Sequence, residues 1–342
     1  MNVLFTCAGR RNYLIHFFKR ALDGQGGGKV LAGDMNPYAP ALGDADESIV
    51  LPSLAHDNYV DDLLSYCRRR SVKMLFSLND DELALLAECK ESFARLGTRV
   101  VLSSPEVIDI CSDKVKTFEF SREIGVSAPQ CYRDLASARQ ALERGHIHFP
   151  LFIKPRWGTA SLCVEKVLDD EELEWAWRFG NRKLSRLGLR REETGIGGLI
   201  IQGALQGDEY GLDVINDLDG NYRATFVKKK LSMRSGETER AVTKDNSMLL
   251  ELGERLGRRL NHVGVLDCDV ILNGNKCHVI DLNPRFGGGY PFADVAGARV
   301  PEALIAWHKG KIAPYDWNTV RPGVVSSKYD CIQTVDHASP LI

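Results

Sequence analysis

Residues 265–289 place acidic side chains inside a segment that otherwise reads as buried β-strand. Two β-rich runs flank Asn273-Gly274, a dipeptide that strongly favours a tight turn between antiparallel strands. Because side chains alternate between the two faces of a strand, Asp267 and Asp269 share one face of the first run. The segment therefore predicts a β-hairpin with one polar face.

The register of this hairpin decides whether the polar residues of its two strands meet. On the returning strand, Asp281 and Asn283 share a face. A two-residue turn would pair Leu266 with Asp281, whereas a three-residue loop over 273–275 would pair Asp267 with Asp281. We expect the three-residue loop, because it brings the carboxylates of the two strands together.

Several carboxylates and an amide oxygen on one side of a sheet predict a bound cation. Like charges repel at this distance unless a cation lies among them, and oxygen ligands suit Mg²⁺ or Mn²⁺. The alternative is an acidic face that simply contacts water. The chain continues with Asn283-Pro284-Arg285 and then Gly287-Gly288-Gly289, which adds a fixed cation and a flexible main chain suited to phosphate or carboxylate.

Short β-rich runs alternate with helical patterns from residue 1 to about 105. The runs are 3–5, 30–32, 74–76 and 100–102, and the helical stretches lie around 11–22, 57–70 and 81–96. This alternation predicts a parallel sheet, whose ligands bind beyond the carboxyl ends of its strands. At the first of these ends, Arg10 and Arg11 could hold an anion with main-chain N–H groups, or could remain solvated.

Lys154 ends an otherwise apolar run and precedes a turn of small residues that includes Gly158, Thr159 and Ser161. A lysine followed by such a turn presents an ammonium and main-chain donors to a triphosphate. The alternative is an edge lysine whose ammonium reaches water. Upstream, Ser112-Asp113 caps a helix that carries two further lysines, Lys114 and Lys116.

Three later segments have weaker signals. A buried-type strand at 199–202 leads into a polar turn at 203–209, which could place an adenine against main-chain groups and a carboxylate on a ribose. Basic residues at 228–230, 234 and 240 surround 235–238, a loop that could fold over an acidic substrate or remain solvated. The basic run at 178–191 is interpreted as a solvated helix face.

Composition excludes several function classes. The formal net charge of −2 provides no field for nucleic acid or an anionic membrane, so neither partner is expected. The nine cysteines form no CxxC pair, which argues against a disulfide framework and favours a reducing, cytoplasmic setting. The first residues do not resemble a signal peptide, and no apolar run approaches the roughly 20 residues that span a bilayer.

Taken in order, these elements resemble the ATP-grasp superfamily, in the branch of the carbamoyl-phosphate synthase large chain, biotin carboxylase and a glycinamide ribonucleotide transformylase. The most specific part of the resemblance is the pair Asp269 and Asp281, followed by Asn283-Pro284-Arg285. It implies an α/β and α+β fold, with a parallel-sheet domain over 1–110, a lid subdomain over 111–201, an antiparallel-sheet catalytic subdomain over 202–310 and a tail over 311–342.

The resemblance also implies roles for individual residues. Lys114 and Lys154 would contact ATP phosphates, Gly158, Thr159 and Ser161 would cover them, Gln202, Gly203, Ala204 and Leu205 would hold the adenine, and Glu209 the ribose. Asp269, Asp281 and Asn283 would bind two Mg²⁺ or Mn²⁺ ions, and Arg285 would stabilise the transferred phosphate, so that Arg285, Lys154 and Asn283 are the catalytic residues. Relatives more often use Glu as metal ligand and have more glycine around Gly158.

The function that we expect is an ATP-dependent ligation of a small carboxylate to an amine through an acyl phosphate. Arg10, Arg11, Asn79, Asp80, Arg234 and Arg240 would face these substrates by position. Alternatives are phosphorylation or carboxylation of a small molecule, and a catalytically silent nucleotide sensor. A homodimer is the oligomer that many relatives form.

Overall fold

A computed structural model of the protein describes residues 1–158, 163–186, 198–335 and 339–340. In these residues the strands form three sheets, which confirms the predicted fold class. The first sheet is parallel, the second belongs to the lid, and the third is antiparallel and carries the polar hairpin. None of the described helices is long and apolar enough to span a bilayer.

The first sheet has the strand order β15-β3-β2-β1-β4-β5, with helices packed on it. Its elements are β1 (Asn2–Thr6), α1 (Asn12–Asp23), β2 (Lys29–Asp34), α2 (Pro40–Asp44), β3 (Glu47–Val50), α3 (Tyr59–Arg69), β4 (Val72–Ser77), α4 (Asp80–Arg95), β5 (Arg99–Val100), α5 (Pro105–Ser112) and, from the end of the chain, β15 (Ser339–Pro340). The predicted strands and helices are confirmed. Strand β3 was missed because it is short and only one of its residues is buried.

The lid carries a small antiparallel sheet of order β7-β6-β8. Its elements are α6 (Lys114–Glu123), α7 (Leu135–Glu143), β6 (Leu151–Pro155), β7 (Glu165–Val167), α8 (Asp170–Arg186) and β8 (Leu199–Gly203). Helix α8 contains the first part of the basic run at 178–191 and exposes Arg178 and Arg182 to solvent, as predicted. The rest of that run lies outside the described residues.

The third sheet has the order β13-β12-β9-β10-β11-β14. Its elements and the helices beside it are β9 (Asp208–Asn216), β10 (Tyr222–Arg234), β11 (Glu237–Lys244), α9 (Ser247–Leu260), β12 (Val265–Asn273), β13 (Lys276–Asn283), α10 (Tyr290–Ala296), α11 (Val300–His308) and β14 (Val325–Ser327). Residues 228–230 lie within strand β10. The loop predicted at 235–238 is shorter than expected, since only Ser235-Gly236 form the turn, with positive φ angles of 51° and 78°.

The predicted register of the polar hairpin is wrong, although the hairpin itself is confirmed. Asn273 pairs with Lys276, so the turn consists of Gly274-Asn275 rather than three residues. The ladder then shifts by one residue, because Val270 pairs with Val279 whereas Asp269 pairs with Asp281. This bulge places Asp269 opposite Asp281 and keeps the polar residues of both strands on one face.

A cluster of aromatic rings joins the parallel sheet to the segment after the polar hairpin. Phe286 contacts Phe18, Phe76 and Tyr290, with ring centroids 6.0, 6.1 and 5.0 Å apart. All four rings are at least 96% buried, so the contact excludes water from the boundary between the two sheets. The cluster fixes the main chain just after Arg285 relative to the first domain.

Replacing Phe286 by Ala is expected to cost about 3–5 kcal/mol of unfolding free energy, because it leaves a cavity in this cluster. Phe179→Ala provides a control, since Phe179 is 44% exposed on α8 and should cost less than about 1 kcal/mol. Urea unfolding followed by tryptophan fluorescence measures both. Equal losses for the two variants would show that the cluster does not join the domains.

Candidate active site

The acidic face of the third sheet comes from three neighbouring strands. Asp267 pairs with Asp213 of β9 on one side and with Asn283 of β13 on the other, while Asp269 pairs with Asp281. Burial, reinforced by the nearby Asp269 carboxylate, raises the pKa of Asp267 to about 7. Burial also raises the pKa of Asp269. These carboxylates therefore lie where a cation would stabilise their charged forms.

Gly287 leaves room for this acidic face. A Cβ added at Gly287 would clash with the carboxyl group of Asp267. The main chain after Arg285 can pass close to the acids only because this residue has no side chain. Gly287 therefore allows the main chain to lie close to the acidic residues.

Two lysines of β10 neutralise part of the acidic face, and sequence reasoning did not assign them to the site. The Lys230 ammonium lies 2.7 Å from Asp269 and 2.7 Å from Glu209. Burial alone would lower the pKa of Lys230, but the two carboxylates outweigh it and raise the pKa. Lys228 lies 2.6 Å from Asp213 in a fully buried ion pair. The spacing of two residues, which puts both lysines on one strand face, was the signal available in the sequence.

On the lid side, Lys114 and Lys154 approach the same acids. The Lys114 ammonium lies 3.3 Å from Asp281 and donates to the Gly158 carbonyl at 3.2 Å. Lys154 lies on β6, where burial and then the charge of Lys114 lower its pKa to about 8, against the pull of Asp281. Cations from the lid and carboxylates from the third sheet therefore face each other.

An ion pair between Arg156 and Asp113 positions the start of α6. Asp113 accepts from the main-chain N–H of Val115 at 2.9 Å and binds the Arg156 guanidinium at 2.6 Å, with both side chains more than 90% buried. Arg156 also stacks on Trp157, 4.5 Å from the ring centroid. Gly158 follows with a φ of +120°, which favours glycine. Thr159 and Ser161 lie outside the described residues.

The segment predicted to contact an adenine lies where β8 leaves the lid sheet. The Gln202 side-chain amide donates to the Pro129 carbonyl at 3.2 Å. Gly203 pairs with Leu151 at the end of the strand, and the Ala204 N–H donates to Pro150 at 3.0 Å. Leu205 follows, half-buried, and Glu209 lies on β9. These internal bonds fix the segment beside the start of the third sheet.

A cavity of roughly 190 Å³, here called the arginine cavity, lies over the acidic face. Arg285 lines it and lies 2.7 Å from Asp80. Asn79 and Asp80 line the cavity from the first domain. Arg11 lines it as well and forms an ion pair of 2.9 Å with Glu237. Of the predicted substrate residues, the structure therefore brings Arg11, Asn79 and Asp80 to the cavity.

The other three predicted substrate residues lie outside the arginine cavity. Arg10 is 80% exposed and lies 3.6 Å from Asp330, which also pairs with Arg234 at 2.8 Å. Arg240 donates to Ser327 of β14 at 2.9 Å. These contacts arise because β11 pairs with β14, a long-range pairing that the local sequence does not reveal. The structure therefore does not bring these three arginines to the cavity, and their substrate role stays a prediction.

The side chains present suit a magnesium ion that is bound by protein oxygens together with the oxygens of a phosphate. Among the described residues, no group of three His, Cys, Asp or Glu side chains forms a complete metal cage. Asp269, Asp281 and the Asn283 amide supply two carboxylates and one neutral oxygen. Mg²⁺ is commonly held by one or two carboxylates together with substrate phosphates, so this donor set fits that mode.

Replacing Lys154 by Met is expected to raise stability at pH 7 by about 1–3 kcal/mol, because Met fills the volume without a desolvated charge. Between its folded pKa of about 8 and its ordinary value of 10.5, the unfolded chain holds a Lys154 proton that the folded chain releases. Wild-type stability therefore rises over this pH window, and the difference from the variant shrinks. Urea unfolding at pH 7 and at pH 10 measures both quantities.

Lys166→Met on the adjacent strand β7 is the matched control, since Lys166 is exposed. It should leave stability nearly unchanged at both pH values. A Lys154→Met variant that is less stable than wild type at pH 7 would contradict the argument from burial.

Comparison with known proteins identifies related sequences. The model of the "PylC-like, N-terminal domain" family matches residues 3–101, and the ATP-grasp domain model matches residues 111–289. The carbamoyl phosphate synthase large chain of Synechocystis sp. is 23% identical over 220 residues, which cover 61% of this chain and 19% of that protein. The Rubrobacter xylanophilus protein of the same name is 25% identical over 223 residues, 62% of this chain and 20% of its own length.

Solved structures share the fold. Biotin carboxylase from Campylobacter jejuni superposes with a TM-score of 0.73 at 17% identity, covering 95% of this chain and 74% of its own. An L-amino acid ligase from Bacillus licheniformis gives a TM-score of 0.67 at 17% identity, covering 94% and 77%. The chain spans about a fifth of the curated relatives that it matches. Since the ATP-grasp model covers more than half of the chain, the protein belongs to the ATP-grasp family.

Proposed function

We propose that the protein is a carboxylate–amine ligase that uses ATP and forms an amide through an acyl phosphate. The observation that carries the proposal is the convergence of Lys114 from the lid, Asp281 and Asn283 from the third sheet, and Arg285 beside the first domain. The described part of this site brings cations and metal-ligand oxygens together without requiring a nucleophilic side chain. Such a site suits phosphoryl transfer, which depends on positioning and charge neutralisation.

The nucleotide would lie between the lid sheet and the third sheet. Gln202 to Leu205 would contact the adenine and Glu209 the ribose, while Lys154 and Lys114 would bind the phosphates under the turn that begins at Gly158. Lys230 now binds both Glu209 and Asp269, so it would exchange these partners for a phosphate when the nucleotide arrives. Bound at Asp269, Asp281 and Asn283, one or two Mg²⁺ ions would neutralise phosphate charge.

The reaction would proceed in two transfers. An oxygen of the substrate carboxylate attacks the γ-phosphorus of ATP, the bond to the β-phosphate oxygen breaks, and ADP leaves with the electron pair. The amine nitrogen then forms a bond to the acyl carbon, inorganic phosphate leaves with the electrons of the C–O bond, and the surplus amine proton passes to phosphate or water. Arg285 would hold the negative charge of the phosphate during both transfers.

The first domain would bind the substrate carboxylate, and the lid would exclude water from the site. Arg11 lies in the arginine cavity and would bind the substrate carboxylate in exchange for Glu237, with which its guanidinium forms an ion pair. Closure of the lid over the cavity would exclude water, which otherwise hydrolyses an acyl phosphate. The structure described as an L-amino acid ligase supports amide formation on this fold.

Product analysis tests the proposal directly. The protein is incubated with ATP, Mg²⁺ and pooled small carboxylic acids, with and without hydroxylamine. ADP and phosphate that appear only with a particular pool, together with a hydroxamate, are the expected result. AMP with pyrophosphate would overturn the mechanism, and tight ATP binding without turnover in any pool would identify a nucleotide sensor.

Replacing Asp281 by Ala is expected to lower turnover in this assay by at least about 100-fold, because it removes a metal ligand and a partner of Lys114. Asp219→Ala is the control, since Asp219 is 79% exposed in the β9–β10 turn and should retain activity. Initial rates of ADP release measure both variants. Wild-type turnover in Asp281→Ala would show that this carboxylate takes no part in the proposed reaction.

A further inference from the structure

A second cavity, here called the helix cavity, lies beside the arginine cavity and shares Lys114, Gly158, Asp281 and Asn283 with the proposed site, but the walls that α4 and α5 contribute beyond Asp80 have no role there. It has a volume of roughly 210 Å³ and lies between α4, α5, the Trp157-Gly158 loop and the end of β13. Its walls include the apolar residues Leu83, Ala84, Ala87 and Ile108. The cavity is therefore large enough and apolar enough to hold the hydrocarbon part of a small molecule.

The charged residues around this cavity are almost all acidic. They are Asp80, Asp81, Glu88, Asp109 and Asp281, against a single base, Lys114. Asp80, Asp109 and Asp281 have ion-pair partners in Arg285, Lys116 and Lys114. Within the described part of the chain, Asp81 and Glu88 form no ion pair. The helix cavity therefore carries uncompensated negative charge, whereas the arginine cavity is lined by four cations and five carboxylates.

The two cavities meet at the proposed reaction centre. Asn79, Asp80, Asp281 and Asn283 line both of them. One oxygen of Asp80 accepts from Arg285 at 2.7 Å, whereas its other oxygen, Oδ1, is buried and has no hydrogen-bond partner. A buried carboxylate oxygen without a donor is costly unless a ligand supplies one. An N–H donor of a ligand at the boundary of the cavities would satisfy this oxygen.

We propose that the helix cavity binds the amine substrate, as an ammonium attached to an alkyl or aromatic body. The apolar walls would contact the body, Asp81 and Glu88 would attract the charge, and Asp80 would direct the nitrogen towards Arg285 and the arginine cavity. This inference rests on the proposed ligase function, because the bound ammonium, once it has passed one proton to water, would be the amine that attacks the acyl carbon. The helix cavity would thus select the class of amine substrate, which the carboxylate-binding residues of the site do not specify.

Binding of simple probes tests the cavity without turnover. Isothermal titration calorimetry compares hexylammonium, hexanol, hexanoate and methylammonium, each added to the whole protein. Hexylammonium should bind at least about tenfold more tightly than the other three, because only it satisfies both the acids and the apolar walls. Equal affinity for hexanoate would overturn the proposal, since it would remove the role of charge.

A matched pair of substitutions locates the probe. Ala84 lines the cavity from an exposed position of α4, and Ala94 is exposed further along the same helix and outside the cavity. Ala84→Phe should weaken hexylammonium binding at least about tenfold, whereas Ala94→Phe should leave it within about twofold. Ala87→Leu provides a second, smaller filling change, and thermal unfolding confirms that each variant is folded. Unchanged binding in both cavity variants would overturn the assignment.

Turnover distinguishes failure of this inference from failure of the ligase. In Ala84→Phe, hydroxylamine-trapped hydroxamate should form at the wild-type rate, while the KM for hexylamine in amide formation rises at least about tenfold. Hydroxamate formation without hexylammonium binding would overturn the amine site alone. Hexylammonium binding with no ADP or hydroxamate from any acid would overturn the ligase and leave an ammonium-binding cavity. Weaker Mg·ATP binding in Ala84→Phe would instead assign the cavity to the nucleotide.

Discussion

The pairing of β12 with β13 is the constraint on which the site depends. A strand displaced by one residue turns every side chain to the opposite face, so the ladder must deliver Asp269, Asp281 and Asn283 to the same side. The apolar residues between them, such as Cys268 and Leu282, are then fully buried beneath the sheet. The bulge near Val279 is what reconciles a two-residue turn with this arrangement. Its position therefore matters as much as the identity of the acids.

Four cations of the site form ion pairs with its carboxylates. Lys230 bridges Glu209 and Asp269, Lys114 contacts Asp281, Arg285 contacts Asp80, and Arg11 contacts Glu237. Binding of a nucleotide with its metal would therefore exchange partners rather than pair isolated charges. A phosphate would replace carboxylates around the lysines, and a cation would replace lysines around the carboxylates. Each ligand would thus release groups that the other needs, so their binding should be mutually favourable.

The fold and the main candidate residues could be predicted because their signals are local. Alternating strands and helices revealed the parallel sheet, and the spacing from Asp269 to Arg285 marked the polar hairpin. The register was missed because Asn273-Gly274 favours a turn one residue earlier and a bulge has no strong sequence signal. Lys228 and Lys230 were not assigned to the site because the sequence does not show that β10 lies beside the acidic strands, and the pairing of β11 with β14, which holds Arg240 away from the cavity, joins distant segments.

The last two strands of the chain return to different sheets. β14 extends the antiparallel sheet beside β11, and β15 extends the parallel sheet beside β3. These two strands therefore attach the end of the chain to both layers, whereas in the described part of the chain β6, β7 and β8 form ladders only with one another. More than one contact holds the segment before the lid sheet to the third sheet: Val279 N–H donates to the Ser127 carbonyl at 2.9 Å, and Val126 packs in the hydrophobic cluster that contains Leu266 and Val279. Residues 126–127 are therefore anchored to the third sheet, so any rotation of the β6–β8 sheet would have to begin after Ser127.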